Sequence, residues 1–279
     1  MEPALPLDLE RVIFELAASA HLSCIPTLML VAWRVKAWVE PFLYTAVFLG
    51  TSNHNTPVEF VTNLELRSSF YRDTVRHICL HPPSVLDPRT ILATHAIFTT
   101  CTHVETLAVK SARNQSNAFL LPLIQKFPAL TRLHADLADL LSVLSRNERS
   151  AAFDAFSSLT HLTHLALQYN SRARGIVPLC MNVLKECRAL RVLAALSEKR
   201  FELGGVRVGA PFYQAVDTPR IDSDDVRFVL VQHPRIIAED VEAWLTDTRN
   251  GRLPGFWECA EEAVSRRIAA KSATKESKM

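Results

Sequence analysis

Leu162-Thr163-His164-Leu165-Ala166-Leu167-Gln168-Tyr169-Asn170 is the stretch on which the fold turns. Leu162, Leu165 and Leu167 occupy the first, fourth and sixth places of a short phrase. Leu165 and Leu167 alternate with Ala166 at the period of two that marks a β-strand. The same phrase recurs as Val75-x-x-Ile78-x-Leu80, Val104-x-x-Leu107-x-Val109, Leu130-x-x-Leu133-x-Ala135 and Leu190-x-x-Leu193-x-Ala195. In chain order the five copies start 29, 26, 32 and 28 residues apart. A looser sixth, Val226-x-x-Val229-x-Val231, starts 36 residues after the fifth.

Helical patterns lie between the copies. Asp87 to Thr99 has a capping aspartate, a proline suited to the first turn, and Ile91, Leu92, His95 and Phe98 at helical spacing. Asn117 to Phe127, Glu148 to Phe156 and Val177 to Cys187 read the same way. Each unit is a strand plus a helix, and one unit cannot bury both elements alone. Stacking solves this with a parallel sheet backed by helices. The fold class expected is therefore α/β. The pattern resembles an irregular, long-repeat leucine-rich-repeat solenoid, with Asn170 near that family's asparagine position. An ordinary α/β sheet is the alternative.

On a solenoid strand, the residues between the apolar anchors face outward on the concave sheet. This places His77, Cys79 and His81 there, with Thr106, Ala108 and Lys110 from the next copy. Arg132, His134 and Asp136 follow, then His164, Ala166 and Gln168, and the fifth copy offers Val192, Ala194 and Leu196, an apolar set open to being covered. The target-binding candidates are His77, His81, Lys110, Arg132, His134, Asp136, His164 and Gln168, a mixture suited to peptide recognition. A plain solvated sheet face is the competing reading.

The first fifty residues have a different pattern. Leu9, Val12, Ile13 and Leu16 recur at three- and four-residue spacing and form one apolar helix face, with Phe14 beside it. A second helix is expected from near Pro26, burying Leu28, Val31, Val35 and Trp38, and Pro41 is expected to stop or restart it. Val47-Phe48-Leu49 is a short strand candidate. The order Leu5-Pro6, Leu9, Ile13-Phe14, Leu16, Leu30-Val31, Trp38, Pro41 and Tyr44 resembles an F-box, in the divergent form of many fungal proteins. Ala32 departs from that pattern, which often has cysteine there, and Ala18 to Ile25 is irregular. The resemblance implies binding to the adaptor Skp1, and through it to a cullin ubiquitin ligase. By transfer, Leu5, Pro6, Leu9, Ile13 and Phe14 are the Skp1-binding candidates. Leu30, Val31 and Trp38 could instead be internal to the motif.

Towards the C-terminus, residues 201–223 read as a loop or hairpin insertion, and Val226 to Val231 as a buried strand. Ile237, Val241, Trp244 and Leu245 form one helix stripe; Trp257, Ala260, Val264 and Ile268 form another. A last helix covering the open end of the solenoid is expected, followed by a frayed basic tail. The expected domains are 1–50 (F-box-like helices), 51–235 (repeats), 236–272 (helical cap) and 273–279 (disordered tail).

Composition excludes several classes. Of 279 residues, 48% are hydrophobic and 22% charged, with formal net charge +2, so the chain is neither disordered nor globally basic. Only seven glycines leave little for phosphate-cradling loops. Gly204-Gly205-Val206-Arg207-Val208-Gly209 lacks dinucleotide-binding spacing. The six cysteines include no C-x-x-C pair, and no basic n-region opens the chain, so reduced thiols in a cytosolic or nuclear protein are expected. His77 and His81 stand about 13 Å apart on a strand, too far to share a metal. No cofactor, metal, nucleic acid or membrane partner is expected, nor catalysis. The functional expectation is a Skp1-binding adaptor presenting a protein target for ubiquitin ligation. The alternative is a ligase-independent scaffold whose N-terminal helices cap the repeats, and an enzyme of unrecognised type stays open as a third class.

Overall fold

The computed structural model describes residues 5–50, 56–81, 88–109, 124–135, 159–169, 176–199, 214–216, 225–234 and 255–276. Three elements lead into the sheet: α1 (Leu7–Ala20), α2 (Ile25–Leu28) and α3 (Trp33–Tyr44). β1 (Ala46–Leu49) follows, then α4 (Pro57–Leu66), α5 (Ser68–Thr74), β2 (His77–Leu80) and α6 (Pro88–Thr100). The remaining described elements are β3 (Thr106–Val109), β4 (Arg132–Ala135), β5 (His164–Tyr169), α7 (Ile176–Glu186), β6 (Val192–Lys199), β7 (Gln214–Val216), β8 (Phe228–Pro234) and α8 (Gly255–Glu276).

The strands form one α/β sheet in the order β1-β2-β3-β4-β5-β6-β8-β7. Seven strands are parallel, and β7 is the antiparallel arm of a hairpin with β8. All five copies of the phrase enter the sheet in chain order and in register: His77 pairs with Thr106, Thr106 with Arg132, Arg132 with His164, and His164 with Val192. The looser sixth supplies β8. β1 pairs Ala46 with His77, so the sheet begins inside the segment assigned to the N-terminal helices.

Three cores divide the apolar residues. The anchors Ile78, Leu80, Leu107, Val109, Leu133, Leu165, Leu167 and Leu193 face Phe60 and Leu64 of α4, Ile97 and Phe98 of α6, and Val183 and Leu184 of α7. The opposite face has its own core. Cys79, Ala108, Ala166, Ala194, Leu196, Val229 and Val231 cluster there with Phe256, Trp257, Ala260, Ala263 and Val264 of α8. Small side chains in successive strands leave room for a helix to lie close. The third core is internal to the N-terminal helices: Ala18, Ile25, Val35 and Val39, flanked by Phe14, Trp38 and Phe42.

Several expectations change. Pro41 lies inside α3 and does not end it. Leu30 and Val31 are 85% and 59% exposed, so neither is internal to the helical motif. α4 opens on a capping box, in which the Thr56 hydroxyl accepts from the Glu59 N–H and the Glu59 carboxylate accepts from the Thr56 N–H. The last helix does not close the open end of the sheet; it lies across a sheet face, because a strongly apolar row there needs cover. That helix continues to Glu276, through residues expected to be a disordered tail. The expected helices at 148–156 and 237–245 lie outside the described residues, as does most of 117–127.

Candidate functional site

The first candidate surface is on α1. Leu9, Ile13 and Leu16 are 54%, 55% and 63% exposed, with Leu5, Leu7 and Val12 also open to solvent. Positions 9, 13 and 16 share one face of α1 by their spacing, and Leu5 lies just before its first turn. Of the five residues assigned to Skp1, Leu5, Pro6, Leu9 and Ile13 are exposed, whereas Phe14 turns inward and packs on the third core. Arg34 donates to both oxygens of Glu10 at 2.9 to 3.2 Å, which ties the start of α3 to α1. Exposed Leu30, Val31 and Trp33 flank that tie. Sequence reasoning placed Val31 on a buried helix face and gave Trp33 no role.

The other end of α3 is packed. Tyr44 meets Phe70 and Tyr71 edge-on at centroid distances of 5.6 and 5.2 Å. Glu40 accepts from both terminal nitrogens of Arg67 at 2.7 and 3.0 Å. The Arg67 hydrogen bond holds the Glu40 carboxyl below its ordinary range. A cavity of about 310 Å³ opens beside this joint, lined by Tyr44, Val47, Glu59, Phe60, Arg67 and Tyr71 among others. Burial pushes the Tyr71 hydroxyl up to about 12. Glu59 is engaged in the capping box and Arg67 in the Glu40 pair, so the polar lining serves structure.

The second candidate surface is the face assigned to target binding, and α8 changes its character. His164 is 8% exposed; its Nε2 lies 2.7 Å from Glu261 Oε1 and its Nδ1 2.7 Å from Thr163 Oγ1. The ring meets Trp257 edge-on. Burial pushes the His164 pKa down, and the Glu261 hydrogen bond opposes that shift. His134 is also buried, with its ring 5.2 Å from that of Phe256. These two histidines were expected to face a target; instead they seat α8. Their alternation with the apolar anchors was read correctly, but the helix that covers them was assigned elsewhere. Lys110 and Asp136 lie outside the described residues. His77, His81, Arg132 and Gln168 are half-buried.

Among the described residues, nothing satisfies one polar atom each of His77 and Arg132. His77 Nδ1 and Arg132 Nε are buried and have no hydrogen-bond partner. Burial, then Arg132, then Arg76 lower the His77 pKa to about 4.

Other chemistry is sparse among the described residues. All six cysteines are free thiols, and burial raises Cys101 and Cys180 to about 12, which makes them poor nucleophiles. No group of three or more potential metal ligands occurs among the described residues, and none of their helices is long and apolar enough to cross a membrane. No family model matches the chain, and no curated protein and no solved structure matches it.

Proposed function

We propose that the protein is a non-enzymatic adaptor that docks on a Skp1-type partner through residues 5–44 and holds a protein target on its sheet domain for ubiquitin ligation. The observation carrying this reading is the apolar stripe of α1. A helix that leaves Leu9, Ile13 and Leu16 in water, on a unit with its own small core, has a surface suited to a partner's groove. The resemblance of residues 5–44 to an F-box supplies the partner, and that of the repeats to a leucine-rich-repeat solenoid supplies the target-holding role. The accessible target surface would centre on His77 and Arg132, because α8 occupies the face around His134 and His164.

A second reading has its own support. The C-terminal end of α3 is fastened to the first repeat by the Glu40–Arg67 pair and the Tyr44 aromatic contacts. That joint suits a cap on a ligase-independent scaffold. Co-expression with Skp1 followed by size-exclusion chromatography separates the two. The adaptor reading expects a stoichiometric complex that is lost in Ile13→Asp and in Leu5→Ala/Pro6→Ala, with unchanged circular dichroism. Absence of a complex from well-folded wild-type protein overturns it and leaves the cap.

A further inference from the structure

We infer that His77, Thr106 and Arg132 form a binding site for a phosphate-type oxyanion, held on three neighbouring strands. The register makes the three residues direct partners across β2, β3 and β4. Their side chains therefore stand in line on one sheet face, about 4.8 Å apart from strand to strand. The three groups can all donate: an imidazole N–H, a hydroxyl and a guanidinium fork. Two of the donor atoms, His77 Nδ1 and Arg132 Nε, are buried without an acceptor. Leaving such an atom unsatisfied is costly, and buried polar atoms without partners are rare in folded proteins.

Two carboxylates of the described residues near the row have other partners. Glu261 receives His164, and Glu105 stands 3.7 Å from Arg76. Arg132 has no ion pair among the described residues, and its charge is felt by the imidazoles on both sides, His77 and His164. The row thus sets one guanidinium charge, that of Arg132, beside imidazole and hydroxyl groups that can donate, with no carboxylate of its own. His77 and Arg132 are half-buried, so the row is open to solvent at its ends. Two hydrogen bonds of about 2.8 Å and the body of one phosphoryl group fit between residues two strands apart. A phosphate monoester and free inorganic phosphate share this chemistry. The site coincides with the target surface proposed above but does not depend on Skp1 docking, because the N-terminal helices contribute nothing to the row; failure of either can thus be told from failure of the other.

The test is titration of the full chain with inorganic phosphate, and separately with the peptide Ala-Ala-phosphoserine-Ala-Ala, at constant ionic strength. Calorimetry and phosphorus NMR line width supply the readouts. Wild-type protein is expected to bind with Kd below about 1 mM, with Arg132→Gln weakening binding about tenfold or more. His77→Gln is expected to weaken it less, and Arg34→Gln, which removes the same charge from a distant helix, leaves it unchanged. Arg132→Lys tests the guanidinium fork and guards against a folding defect in Arg132→Gln. A phosphopeptide that binds tighter than both phosphate and its unphosphorylated form identifies a protein-borne ligand. Equal binding of peptide and phosphate identifies the free anion. No binding by folded wild-type protein, or loss of binding in Arg34→Gln equal to that in Arg132→Gln, overturns the inference.

Discussion

His164 on β5 and Glu261 on α8, 97 residues apart in the chain, meet at 2.7 Å under the edge of the Trp257 ring. One hydrogen bond thus joins the middle of the sheet to the helix that covers it. A double-mutant cycle of His164→Ala and Glu261→Ala, read by urea denaturation, is expected to give a coupling of about 1–2 kcal/mol, as for a partly buried bond to a carboxylate. Strictly additive losses would mean that the pair does not hold α8.

Trp257 is the principal apolar anchor of the same helix, 1% exposed among Phe256, Ala260 and the sheet residues. Trp257→Ala should cost about 3–5 kcal/mol. Hydrogen exchange should show lost protection first in α8 and in β8. Protection that falls equally in α1 would show that α8 supports the whole chain.

The Glu40–Arg67 pair fastens α3 of the N-terminal helices to the junction of α4 and α5. Arg67→Ala strands a carboxylate that is 8% exposed and should cost about 1–2 kcal/mol at pH 7. Because the folded state lowers the Glu40 pKa from 4.5, its contribution is complete above that value. It fades as pH falls through the lower folded pKa. The difference between wild type and Arg67→Ala should therefore shrink in acid, which chemical denaturation at pH 7 and pH 3 can check.

His77 has the same sign of pH dependence for a different reason. Its pKa falls from 6.5 to about 4 on folding, so the unfolded chain binds the proton first. Stability should drop as pH falls from 6.5 towards 4, by at most about 1.4 kcal/mol per pH unit from this group. His77→Gln should flatten that part of the profile in phosphate-free buffer. An unchanged slope would place the titration elsewhere.

The strands were legible because their anchors carry a period of two and recur at nearly constant spacing. β1 was recognised as a strand but not as a sheet partner, although Tyr44-x-x-Val47-x-Leu49 has the same form as the other copies. The resemblance of the preceding helices to a known motif drew it into the wrong unit. α4 carries a readable start signal in Thr56-Pro57-Val58-Glu59, whereas α5 begins at Ser68 without a side-chain cap. The position of α8 was harder to see. Spacing shows which side of a helix is buried, not which surface receives it. The receiving surface was nonetheless marked, since Cys79, Ala108, Ala166 and Ala194 are too small and apolar for an open recognition face. His134 and His164 looked like recognition residues because polar side chains between apolar anchors usually face water, and only the covering helix changes their role.

The in-order sheet has a consequence for how the chain assembles. Each strand from β1 to β6 pairs with the next in sequence, as in His77 with Thr106 and Arg132 with His164. Those contacts join segments close in sequence and can form progressively as the chain is synthesised. The cover for the second face arrives from residue 255 onward, after every described strand of the sheet. Until then Leu196, Val229 and Val231 have no α8 above them. The vulnerable period of this protein's biogenesis is therefore its last stage, and a nascent chain stalled before Gly255 would be the form most prone to aggregation or chaperone capture.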